Sequence, residues 1–284
     1  MEELTDKIAL GAVQFGLNYG ISNKNGVTPI NEVGKILEFA KKSRISVIDT
    51  AYSYGDSEKN LGEFDLEQFK IVSKFPETEG VPIFQFFNES CKRLNVSSLY
   101  GYIAHNGNIL INNVKAWDEL KELKNGGKVE KIGYSLYKPR ELEILLDLGM
   151  IPDLIQVPFN LLDRRFEEYF DELKKMGCEI HSRSTFLQGI FFLSLENLSS
   201  FFEPLRPFLT HFDKRFPDMD DKISYLISFV LRNNGIDKLV LGVNNQSQLR
   251  QNINHLSNTV TDEYELNLSA IPEEILLPYN WPAK

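Results

Sequence analysis

Four side chains of different chemistry, Asp49, Tyr54, Lys74 and His105, fall at or just beyond the ends of three successive apolar runs. A phenol ionises near pH 10 and is a poor acid at neutral pH until a neighbouring ammonium stabilises its anion. Lys74 can supply that charge, and Asp49 can hold the ammonium charged and oriented. His105 can donate a hydrogen bond to a carbonyl oxygen as negative charge builds on it. Such a set suits protonation of an alkoxide while hydride arrives at carbon. Each residue alone has an ordinary reading: the aspartate as a loop or cap residue, the lysine as a solvated charge, the histidine as a satisfied interior side chain. Their order along three consecutive strand ends favours the catalytic reading. Tyr52 is the rival phenol, two residues nearer its strand and expected to pack.

The elements that must position these groups are legible in the periodicity. Short apolar runs at 8–16, 45–50, 69–75, 99–105, 131–136, 154–160, 178–184 and 238–244 read as eight strands. Amphipathic segments lie between them. One is opened by Thr28-Pro29, with Val33, Ile36, Leu37 and Ala40 on one face; another follows Pro82, with Phe84, Phe87, Cys91 and Leu94. A helix over 112–124 should turn Val114, Trp117 and Leu120 inward and stop at Gly126-Gly127, and Pro139 should start the next. After the sixth strand, Phe166, Tyr169, Phe170, Leu173 and Met176 form a stripe, and a last helix begins near Ser247. Ser57 reads as the cap of the helix that follows the short loop carrying Tyr54, with Glu58 favoured by the helix dipole.

Alternating strands and helices predict a parallel sheet, and eight of them predict a closed (β/α)8 barrel formed by residues 1–284 as one domain. The open doubly wound alternative usually carries GxGxxG in its first strand-to-helix turn, whereas this turn reads GLNYGISNKNG. On a barrel all strand ends share one rim, so the four groups would meet there. Residues 185–237 are too many for one crossover and predict an extra helix plus a loop at the barrel mouth. That segment and the tail IPEEILLPYNWPAK either pack on outer helices or wall a pocket.

Composition narrows the classes. The chain of 284 residues is 42% apolar and 25% charged, with a formal charge of −9, which argues against nucleic-acid or anionic-membrane partners. Two cysteines, Cys91 and Cys178, form no pair or cluster, the N-terminal stretch lacks signal-peptide character, and no long apolar span occurs; a cytoplasmic location is expected. Four dispersed histidines predict no metal site. Tyr134 and Lys138 match the YxxxK pair of short-chain dehydrogenases, but Pro139 and the apolar strand 131–136 set them across a strand end.

DTAYSYGDSEKNLG, with Lys74 and His105 in order, resembles the signature of the aldo-keto reductases. IGYSL, IQVPFN, STFLQG and LGVNNQSQLRQN resemble the family's later strand-end motifs, so the similarity spans nearly the whole chain. The resemblance implies a nicotinamide cofactor across the rim, Tyr54 as general acid tuned by Lys74 and Asp49, and His105 orienting the carbonyl. It implies Ser135 and Gln156 at the carboxamide, Ser184, Leu187 and Gly189 at the pyrophosphate, and Gly242, Asn244, Gln248, Gln251 and Asn252 around the adenosine. Leu136 replaces a frequent asparagine, and Arg183 stands where an aromatic often stacks on the nicotinamide. Arg250 is the one base of the last motif, so NADP(H) is expected from the family while NAD(H) stays open.

A reductase of a small carbonyl compound is therefore expected, with a nicotinamide-binding sensor subunit as the alternative. Tyr19, Phe191, Phe192 and Trp281 are candidates to line an aromatic pocket, while Arg183, Asn18 and Asn160 near the same rim could hold a polar or anionic substrate, and a sugar-like carbonyl compound is the expectation drawn from them. The sequence leaves the oligomeric state open.

Overall fold

Side chains that alternate along a strand point to opposite faces, and here one face must fill a barrel while the other receives helices. The computed structural model describes residues 2–256 and 271–282. Its strands are β1 (Ile8–Gly11), β2 (Val47–Asp49), β3 (Lys70–Phe75), β4 (Leu99–Ala104), β5 (Val129–Ser135), β6 (Leu154–Pro158), β7 (Glu179–Arg183) and β8 (Lys238–Gly242). Each pairs in parallel with the next, and β8 returns to β1 to close the barrel. The inner face carries Ala9, Val47, Val72, Ile103 and Leu154 as a buried plug. Two residues further along their strands come Asp49, Lys74 and Gln156, so period two lifts these polar groups from the plug to the rim. The outer face, with Leu10, Ile48, Tyr102, Tyr134, Ile155 and Leu239, packs on the surrounding helices in the main core.

Several elements differ from the sequence reading for identifiable reasons. The first strand ends at Gly11, and Val13–Phe15 forms a 3-10 turn, which carries Gln14 to the rim. The helix expected over 112–124 starts three residues later, at Lys115–Asn125, and a separate short helix, Gly107–Asn112, precedes it. Asn106 caps the first by accepting from the Asn108 N–H, and Val114 lies at the break, exposed rather than inward. Phe84 and Met176 are also exposed, with Ser90 taking the buried place beside Phe87 and Leu94. The stripe Val33, Ile36, Leu37 and Ala40 is buried as read. Cys91 and Cys178 are unpaired, and burial pushes the Cys178 thiol up to about 12.

Residues 185–237 do both things considered for them. The helix Met219–Leu231 packs Ile223, Ile227 and Val230 on the barrel, as a crossover helix should. The extra helix, Arg206–Arg215, and the turns before it build a second core. There Phe191, Phe202 and Phe212 meet Leu161, Leu162 and, from the tail, Ile275 and Leu276. Trp281 closes it edge-on to Phe202 at 4.9 Å and donates to the Ile275 carbonyl. Phe186, Gln188, Gly189 and Phe192 form the side of this unit that faces the rim cavity.

Phe212 is fully buried among Phe191, Phe208, Phe216 and Tyr225. Phe212→Ala should lower unfolding free energy by about 3–5 kcal/mol, whereas Phe84→Ala should stay within about 0.5 kcal/mol. Urea unfolding of the two variants checks the contrast.

Candidate active site

The 50–57 loop is held by contacts that its sequence provides. Ser57 does not cap the following helix; it is the first helical residue, and its hydroxyl donates to the Ala12 carbonyl at 2.7 Å. That hydroxyl has one proton, so Thr50 Oγ1, 3.0 Å away, is the donor in their contact. Asn60 donates to the Phe15 carbonyl at 2.7 Å. Gly16 makes this approach possible: a Cβ there would lie 1.9 Å from the Tyr54 carbonyl oxygen. Gly55, with φ at 57°, makes the turn after Tyr54. Glu58 is fully buried instead of sitting in a solvated first turn, and it accepts from Ser73 at 2.6 Å. It thereby ties the tyrosine loop to the strand that bears Lys74. Burial raises its carboxyl above the usual range.

Asp49, Tyr54, Lys74 and His105 come together at the rim. Lys74 is fully buried and donates to both Asp49 carboxylate oxygens and to the Thr50 carbonyl, each at 2.8 Å. Gln156 adds a fourth contact, donating to Asp49 Oδ2 at 2.7 Å. Lys74 Nζ sits 5.0 Å from the Tyr54 ring centroid, and the His105 ring meets the same phenol edge-on at 5.4 Å. Burial lowers the lysine, and Asp49 opposes that shift. Burial, reinforced by the Asp49 charge, holds the Tyr54 phenol protonated well above its ordinary range. His105 falls to about 3 through burial and the cationic Lys74 and Arg183, so its imidazole is neutral at physiological pH. Tyr52, by contrast, donates to Glu89 at 2.7 Å under Arg93 and is turned away from this cluster.

A cavity of about 430 Å³ runs from this cluster across the rim between β1, β7 and β8. Asp49, Tyr54, Gln156, Arg183, Ser184 and Gly189 line one end and middle; Gly242, Asn244, Gln248, Gln251 and Asn252 line the other, and Tyr19 overlooks the first. Ser135 is buried beside Gln156, its partner in the β5–β6 register, without lining the cavity. Leu187 is buried in the second core, between cavity-lining Phe186 and Gln188. Asn160 and Phe191 lie elsewhere. Asn160 is buried, donates to the Ser184 carbonyl and accepts from the Leu162 and Asp163 N–H groups, and Phe191 is internal to the second core.

Arg183 is placed where a planar group could cover the cavity. Its guanidinium stacks on the Tyr137 ring at 4.1 Å and donates to the Leu136 carbonyl at 2.8 Å. Sequence reasoning missed Tyr137, which follows the fifth strand end directly, and Gln14, whose only signal is its position after β1. Two amide oxygens of the lining, Gln14 Oε1 and Asn244 Oδ1, are buried without a hydrogen-bond partner. Buried acceptors of this kind are matched by a ligand rich in hydroxyl and amino groups. At Gly242 a Cβ would approach the Gln14 amide to 2.7 Å, so that backbone has to stay bare. A cradle that mixes amide groups with apolar side chains and reaches a phenol fits a dinucleotide. Among the described residues no group of three or more His, Cys, Asp or Glu could hold a metal ion, and no helix is long and apolar enough to cross a membrane.

The chain is similar to known proteins. The profile of the aldo/keto reductase family matches residues 7–269. Two aldo-keto reductases from Mycobacterium species, strains KMS and JLS, are 27% and 26% identical over 189 residues. Those matches cover 60% of this chain and 65% of each relative, just under two thirds of their length. Among solved structures, the holo form of an aldo-keto reductase from Bacillus halodurans superposes with a TM-score of 0.71 at 17% identity, covering 96% of this chain and 91% of that one. A Pseudomonas aeruginosa protein classed with the aldo-keto reductases gives 0.68 at 21%, covering 89% and 90%. At such identities the superpositions speak for the barrel alone. The profile, which runs from β1 past the last strand and includes all four clustered side chains, makes the chain a member of the aldo/keto reductase family.

Proposed function

We propose that this protein reduces a small carbonyl compound with a nicotinamide dinucleotide. The observation that carries the reading is the convergence of Asp49, Tyr54, Lys74 and His105 at one end of the cradle. The nicotinamide, when bound, supplies the hydride. Gln156, with Ser135 packed behind it, would hold its carboxamide, Ser184 with the backbone through Leu187 and Gly189 the pyrophosphate, and Asn244, Gln248, Gln251 and Asn252 the adenosine.

The chain's own groups divide the remaining work. Tyr54 enters as a protonated phenol and hands its proton to the oxygen that becomes an alkoxide, a far stronger base than phenolate. Lys74 stabilises the phenolate left behind, and its charge depends on Asp49 and the Thr50 carbonyl. His105, neutral, donates a hydrogen bond to the carbonyl oxygen and so helps set its position before transfer. What supports a polar, sugar-like substrate is the Arg183 guanidinium and the Tyr19 hydroxyl at the same end of the cavity.

Three outcomes are expected. Tyr54→Phe should cut kcat for carbonyl reduction by at least about 10²-fold while leaving cofactor affinity within about twofold, because the proton donor is lost and the cradle is kept; turnover near wild type would remove the tyrosine from its role. Because His105 protonates only near pH 3, kcat/KM should show no limb near the ordinary histidine pKa of about 6.5, and a pH profile with such a limb contradicts a neutral His105. Lys74→Met leaves Asp49 buried with Gln156 as its one remaining side-chain donor and should cost about 3–5 kcal/mol of stability, with Asp49→Asn in the same chain recovering part of it in chemical unfolding.

A further inference from the structure

At the end of the cradle away from Tyr54, the groups that would meet a 2′-phosphate are anionic or already engaged. We propose that the protein discriminates in favour of NAD(H) over NADP(H), with Glu32 as the residue that enforces the choice. This rests on the nicotinamide-dependent reading above and opposes the NADP(H) preference implied by the family resemblance.

The helix Gln246–Asn254 presents its N-terminus beside the cavity, where free N–H groups and the helix dipole ordinarily attract a phosphate. Two of those N–H groups, and that of Asn244 just before the cap, are taken by the protein. Gln248 Oε1 accepts from the Asn244 N–H at 2.8 Å, the Glu32 carboxylate from Gln246 at 2.9 Å, and Asn245 Oδ1 from Gln248 at 2.9 Å. Glu32 thus places a negative charge where the phosphate would go, and its bond from Gln246 keeps the carboxyl below its usual range. Lys35 is bound to the other Glu32 oxygen at 3.0 Å.

Other charges point the same way. Arg250 stacks on Phe39 at 4.4 Å, against the helix Ile30–Lys42. Gln251, a lining residue, donates to the Asp220 carboxylate at 2.7 Å, which adds a second anion at this end. Arg183 is the one cation among the described lining residues, and it stands at the Tyr54 end. A 2′-phosphate carries close to two negative charges at neutral pH and offers only acceptors. A ribose 2′-hydroxyl is uncharged and can donate to an acceptor such as the unpartnered Asn244 Oδ1.

The test is calorimetric titration of the full chain with NAD⁺ and with NADP⁺ at one fixed ionic strength, which reads binding without turnover. NAD⁺ should bind at least about tenfold more tightly. Glu32→Ala, a change at a partly exposed position of the helix first turn, removes the charge, frees the Gln246 N–H and releases Lys35. It should tighten NADP⁺ by about tenfold while NAD⁺ moves by no more than about twofold. Wild-type protein that binds NADP⁺ as tightly as NAD⁺ overturns the preference and leaves the reductase reading standing. Binding of neither nucleotide overturns both, and a Glu32→Ala variant with unchanged NADP⁺ affinity removes Glu32 from the role.

Discussion

The buried pairing of Lys74 with Asp49 is the constraint on which the site depends. An ammonium taken fully out of water is costly unless its hydrogen-bonding capacity is met, and here two carboxylate oxygens and the Thr50 carbonyl meet it. Those partners come from the end of β2 and the residue after it, so the pair fixes β3 relative to the loop that holds Tyr54. Gln156, from the opposite part of the barrel, completes the carboxylate's shell. One charge cluster thereby ties three strands at the rim, and it fixes the ammonium 5.0 Å from the Tyr54 ring.

The second shell of constraints is backbone proximity rather than charge. Gly16 and Ser57 allow the tyrosine loop to rest on the turn after β1, and Glu58 joins its helix to Ser73, next to Lys74. Phenol and ammonium are thus held by neighbouring residues on both elements, which is how a loop residue acquires the precision of a strand. The phenylalanine-rich unit over residues 187–216 has its own core and presents one side to the cavity. Phe186, Phe192 and Phe229 pack against both cores and so join this unit to the barrel.

Much of this was legible along the chain because it depends on local order. Eight apolar runs with helical segments between them specify a barrel, and parity within each strand specifies which residues reach the rim. The misreadings share a cause. Val114, Phe84 and Met176 are apolar residues at helical spacing, but exposure depends on which neighbour covers that face, and periodicity is silent on neighbours. Ser57 has the composition of a cap, yet the Ala12 carbonyl competes for its hydroxyl from 45 residues away in sequence. Phe191 and Asn160 carry pocket-like chemistry but are drawn into packing and a turn.

The sequence by itself determined the residue types of the site, their order on successive strands and the barrel that gathers them, since these follow from periodicity and composition. The tertiary structure decided protonation and the charges that surround the cradle. The neutral His105 and the protonated Tyr54 arise from burial and from charges delivered by other strands. Likewise, Glu32 reaches the Gln246 N–H only because the first and last helices of the barrel are neighbours when it closes. Electrostatic environment is set by distance in space, and distance in sequence does not report it.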